Sequence, residues 1–92
     1  MAALPYTGSV MDAKEKLVAI IKGQPRATIV TEQDTYLHIE YRSLIFRFVD
    51  DVEFYIDEAA HLIQFRSASR LGHSDMGVNR KRMEGIREQF VQ

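Results

Sequence analysis

The sequence contains no cysteine. Disulfide staples, thiolate metal sites and cysteine nucleophiles are therefore excluded. Two prolines and five glycines are too few for a low-complexity or linker-rich chain. No apolar run approaches the ~18 residues a membrane span needs. The first residues carry no basic stretch followed by an apolar run of ~7–15, so they do not read as a signal peptide. Excess charge of one sign is also missing: 12 basic against 13 acidic residues leave a net charge of −1.

What is present is a core. Hydrophobic residues make up 46% and charged ones 27% of 92 residues, enough apolar surface to offset the entropy of folding. One soluble, compact domain over residues 1–92 is expected. A chain this short buries about 60–65% of its unfolded surface, which leaves little room for an enclosed catalytic cavity. The near-neutral balance hides an asymmetry. Residues 47–65 set Arg47 against Asp50, Asp51, Glu53, Asp57 and Glu58. Residues 66–92 set Arg66, Arg70, Arg80, Lys81, Arg82 and Arg87 against Asp75, Glu84 and Glu88. An acidic segment followed by a basic one neutralises itself inside a fold, which argues against nucleic acid as a partner.

The first helix is the best-marked element. Ser9, with Asp12 three residues later, has a capping-box pattern. Val10, Ala13, Leu17, Ile20 and Ile21 then form one apolar stripe. Gly23 is placed for a left-handed terminating residue, and Pro25 forbids continuation. A helix over Val10–Lys22 follows. Four strands are predicted after it, over Ala27–Glu32, Thr35–Arg42, Ile45–Asp57 and His61–Ser69. In the second, Leu37, Ile39 and Tyr41 share one face, and Tyr36, His38, Glu40 and Arg42 the other. In the third, Phe46, Phe48, Val52, Phe54 and Ile56 are in phase with Asp50. Either Asp50 points to the core side, or a bulge at Asp50-Asp51 shifts the register. Asp57–Ala60 reads as a hairpin turn. A last helix runs to about Phe90, capped by Ser74 or Asp75, with Met76, Met83, Ile86 and Phe90 inward. Gly77 in its first turn and Gly85 in its interior point to close packing. The fold expected is α+β, order α-β-β-β-β-α: a four-stranded antiparallel meander with both helices on one face. Its open face would carry Tyr36, His38, Glu40, Arg47, Glu53, Tyr55 and Gln64.

The dense polar stretch is Arg66 to Arg80. A helix N-terminus with Arg66, Arg70, Arg80, Ser67, Ser69, His73 and Ser74 nearby has the chemistry of an anion site. Asp75 opposes that reading, because a carboxylate at the cap would occupy those amides. The favoured reading is structural: Ser74 and Asp75 cap the helix, Asn79 ties the loop, and the arginines pair with Asp50 and Asp51. Asp50 and Asp51, adjacent on a strand, would face opposite ways and make poor joint ligands unless a bulge rotates one. No ligand spacing supports a metal, and no cofactor is expected. His73-Ser74 is not a catalytic arrangement, and His38 and His61 read as solvated strand residues. Arg80-Lys81-Arg82, with Glu84 placed for an i,i+4 pair with Arg80, reads as a solvated helical face. Tyr36 and Tyr55 lack the basic company of an RNA-stacking pair.

Two stretches, Phe48 to Phe54 and Arg66 to Arg82, resemble the domain of unknown function 1499 family of bacteria and photosynthetic lineages. Pro5-Tyr6-Thr7-Gly8-Ser9 and Pro25-Arg26 resemble its opening elements. The likeness runs from about Leu4 to Phe90. It implies that Asp50-Asp51 and the Arg66–Arg82 segment act as one signature, and it carries no activity with it. Many members have a further N-terminal portion with an export or lipid-attachment signal. This chain's localisation is accordingly expected to be either cytoplasmic or that of a trimmed exported or lipid-anchored domain. The function expected is a non-catalytic binding or protein-interaction module using the Arg66–Arg82 loop, its partner a protein or a small anion. The alternatives are a small enzyme or anion-binding protein using Asp50 or Asp51 with His73 and an arginine, and a structural accessory subunit. At least one of Arg66, Arg70 and Arg80 is expected to bond Asp50 or Asp51 in a partly buried network.

Overall fold

A computed structural model describes residues 3–45, 48–70 and 77–91. Ser9 caps the first helix, α1 (Val10–Lys22), its side chain accepting from the Asp12 N–H at 3.0 Å. Ala13, Leu17 and Ile21 are its buried stripe. Gly23 ends the helix in a right-handed conformation, with φ −81°, rather than the left-handed one expected. The positive φ falls on Arg26 instead, at 57°, where the chain turns into the sheet.

The strands are β2 (Ala27–Glu32), β3 (Tyr36–Arg42), β4 (Val49–Asp57) and β5 (Leu62–Ser69). They pair antiparallel in sequence order, as the short turns between them require. The sheet has five strands, however, not four. Leu4–Pro5 forms β1, which pairs Leu4 with Ile63 and Pro5 with Leu62, giving the order β1-β5-β4-β3-β2. Two residues hold no period-2 pattern, so the strand left no mark in the sequence; burial of Leu4 fixes it. β4 starts at Val49, later than Ile45, and Phe48 precedes it and is exposed rather than inward. Phe46 and Arg47 lie outside the described residues. β4 keeps unbroken register with both neighbours, so no bulge occurs at Asp50-Asp51. The bulge lies in β2, between Ile29 and Thr31, where Val30 is exposed.

The last helix, α2, spans Val78–Phe90. Its cap position is Gly77 at φ 81°, a residue with no side chain to cap it, rather than Ser74 or Asp75, which lie outside the described residues. Left-handed backbone is cheap for glycine, which accounts for this residue without any close packing. Gly85 likewise has open space where a Cβ would stand. Buried residues of α1 and α2 form one cluster with Leu37, Ile39, Val52, Phe54, Ile56 and Ile63, so both helices cover one sheet face. No helix among the described residues is long and apolar enough to cross a membrane.

Candidate functional site

Unbroken pleating of β4 sends its two aspartates to opposite faces. Asp50 lies in phase with buried Val52, Phe54 and Ile56, opposite Tyr41 and Ser69. Asp51 lies in phase with Glu53 and Tyr55, opposite Glu40 and Ala68.

On the covered face Asp50 meets α2. Both terminal nitrogens of Arg82 donate to Asp50 Oδ2 at 3.3 Å. Arg82 also donates to Asn79 Oδ1, which accepts from the Ser67 hydroxyl as well. The Arg82 guanidinium sits 4.2 Å from the Tyr41 ring centre, a cation–π distance. Burial pushes the Tyr41 hydroxyl up to about 12, against the opposing pull of Arg82. That hydroxyl donates to Gln24 Oε1. Side chains of Asp50 and Arg82 are 13% and 15% exposed, so this pair is largely out of water.

On the open face Arg70 grips Asp51 with two bonds, from Nε at 2.8 Å and from a terminal nitrogen at 2.9 Å. The same terminal nitrogen reaches Glu40 at 2.5 Å. His38 Nε2 lies 2.8 Å from Asp51 Oδ1. The Arg70 bond, helped by His38 and opposed by burial, holds the Asp51 carboxyl below its usual value. Further along the face, Tyr36 and Tyr55 both donate to Glu53 Oε2, at 2.6 and 3.0 Å. Donation to Glu53 pushes the Tyr36 hydroxyl up to about 12 and holds the Glu53 carboxyl low. The two tyrosine rings pack with centroids 5.1 Å apart. Arg66 stands 3.6 Å from Glu53.

The expected bond between the aspartates and the arginines is therefore present, as Asp51–Arg70. Arg66 and Arg80 do not take part: Arg66 faces Glu53, and Arg80 pairs with Glu84 at 3.1 Å. Asp50 takes Arg82, which turns inward from a basic run expected to be wholly solvated. Ser67 joins that cluster through Asn79, and Ser69 lies opposite Asp50 in register. His73, Ser74 and Asp75 lie outside the described residues. His38 is half-buried and engaged, and His61 lies in the turn at φ 53° with its ring 5.2 Å from Tyr6. The sequence reading does not expect His38 as a partner of Asp51 or Glu40 as the second partner of Arg70. Their alternation with Leu37 and Ile39 placed them on the open face, but only the β3–β4 register brings them to Asp51.

One ligand atom each from His38, Glu40 and Asp51 lies within 4.8 Å of the others, a donor set that suits a cation by number. Arg70 already bridges the two carboxylates there and supplies the positive charge. A pocket of about 460 Å³ opens elsewhere, lined by residues that include Tyr6, Asp12, Lys16 and Phe90. None of the expected site residues lines it. The Tyr6 hydroxyl is buried and has no hydrogen-bond partner among the described residues.

These features define a small α+β domain with two helices layered on one face of an antiparallel sheet and an ordered polar layer on the other. The chain belongs to the family described as protein of unknown function (DUF1499), which it matches over residues 1–90. No curated protein and no solved structure matches it.

Proposed function

We propose that this domain is a non-catalytic binding module that meets a protein partner through its open sheet face, at Tyr36, Tyr55, Arg66 and Arg70. The observation that carries this reading is a side-chain layer ordered by internal bonds yet covered by no described element. Tyrosine and arginine held in place lose little entropy on docking, and both are enriched at the energetic centres of interfaces. An enzyme reading has less support. Asp50 and Asp51 point to opposite faces and each is held by a guanidinium, so neither is poised as a general acid or base. The Asp50–Arg82–Asn79–Ser67 cluster serves to clasp α2 to the sheet.

A photo-crosslinking residue at Gln64, exposed on the open face, tests the proposal in cells, with Met11 on α1 as control. A discrete adduct from Gln64 that Tyr55→Ala with Arg66→Ala removes is expected, and none from Met11. Lack of an adduct at Gln64 overturns it. So does a turnover activity that Asp51→Asn abolishes while the variant stays folded.

A further inference from the structure

An open cavity of about 460 Å³ lies where the end of β1 meets the first half of α1 and the last residues of α2. That volume is in the range of small-molecule sites. Tyr6, Ala13 and Phe90, each 4–6% exposed, form its buried floor. Thr7, Asp12 and Lys16 form an exposed polar rim. The start of α1 fixes the two rim charges. Ser9 caps that helix by accepting from the Asp12 N–H, which sets Asp12 in the first turn. Lys16 follows four residues later on the same helix face, about 6 Å along the axis. Its Nζ stands 5.1 Å from the centre of the Phe90 ring, so the cation is carried over the aromatic floor. Tyr6 supplies an independent sign of a ligand. Its hydroxyl is buried and makes no hydrogen bond. Buried donors are nearly always bonded, because an unmade bond costs the full desolvation of the group. A phenylalanine would serve the floor as well, so the hydroxyl is a group that the fold itself does not use.

We propose that this cavity binds a free amino acid with an aromatic side chain. The ring lies against Tyr6 and Phe90, the ammonium meets Asp12, and the carboxylate accepts from Lys16 and from the Tyr6 hydroxyl. The rim selects the class. A carboxylate and an ammonium on one helix face complement a small zwitterion whose own opposite charges sit on a single carbon. A simple acid would meet Asp12 as a like charge, and a simple amine would meet Lys16 as one. The aromatic floor selects the side chain, since rings prefer tilted or offset contact with other rings. The cavity is lined from both helices, apart from the open sheet face, and does not depend on the role given to that face.

The test is an NMR titration of the ¹⁵N-labelled 92-residue chain with L-phenylalanine, phenylacetate and phenethylamine. L-phenylalanine is expected to shift the amides of Thr7, Asp12 and Lys16 saturably, and the two single-charge analogues to bind at least about fivefold more weakly. Asp12→Asn and Lys16→Met should each weaken L-phenylalanine by about as much. Tyr6→Phe separates a ligand contact from a structural one. It should weaken binding while leaving the melting temperature of the unliganded chain equal or higher, because it deletes an unbonded buried hydroxyl. No saturable shifts at these amides overturn the proposal. So does equal binding of either analogue, or of the Lys16→Met chain. A lower melting temperature for Tyr6→Phe with unchanged affinity also overturns it, because the hydroxyl then serves the fold.

Discussion

Asp50 and Asp51 are neighbours in sequence, and the two differ in what they cost to disturb. Asp50 and Arg82 are nearly enclosed, so removing either leaves a charge in a poorly solvated place. Asp50→Asn or Arg82→Met should each cost ~3–5 kcal/mol. Arg70, by contrast, is 47% exposed, and water already screens its bond to Asp51. Arg70→Met should cost ~1 kcal/mol or less. Double-mutant cycles read by urea denaturation check the contrast, and equal coupling in the two pairs contradicts the burial argument. Ser9 offers a simpler case. Its hydroxyl satisfies one orphan N–H of α1, so Ser9→Ala should lower stability by ~1 kcal/mol, seen as a lower denaturant midpoint at unchanged slope. The cap was legible because it depends only on local chain. Arg82 was not, because its partner lies 32 residues away and charge alone does not say which of three adjacent cations turns inward.

Most elements have bounds within a residue or two of those expected, β4 excepted, which starts at Val49 rather than Ile45. α1 and β2 have the expected bounds, since thirteen residues of apolar stripe and a β-branched run each over-determine their class. β1 is the opposite case. It is two residues long, ends on a proline and owes its existence to the β5 edge it completes. Leu4 is fully buried in the shared core. Leu4→Ala should therefore cost ~2–5 kcal/mol, as for a core position rather than a frayed terminus. A thermal melt unchanged by that substitution rules out a structural role for the fifth strand. The start of α2 moved for a related reason: Ser74 and Asp75 carry the usual cap chemistry, but a left-handed glycine ends the loop later.

At the scale of the whole molecule, the polar layers set how stability responds to pH. Asp51 and Glu53 have carboxyls held below their ordinary values of 3.8 and 4.5. Their contribution is full above those values and is lost as pH falls through the lower folded-state values. Asp51→Asn should flatten the acid limb of a stability–pH curve. Tyr36 and Tyr41 are raised from 10.0 to about 12. Their contribution is full below pH 10 and is lost as pH rises towards 12, the folded state holding protons the unfolded chain has released. Tyrosinate absorbance should accordingly appear late, and Tyr36→Phe should remove one late-titrating group. A single titration midpoint near 10 for all four tyrosines contradicts these bonds.

The sequence by itself determined the α+β class, the bounds of the first helix and the meander. Each of these follows from periodicity or capping within a short window of chain. That Asp50 and Asp51 face apart rests on the unbroken β4 register. Only the tertiary structure decided the fifth strand, the choice of Arg82 for Asp50, and the meeting of His38, Glu40 and Arg70 around Asp51. Those contacts depend on strand register and on which helix face lands over which residue. Both are set by packing of the whole core, and no local pattern encodes them.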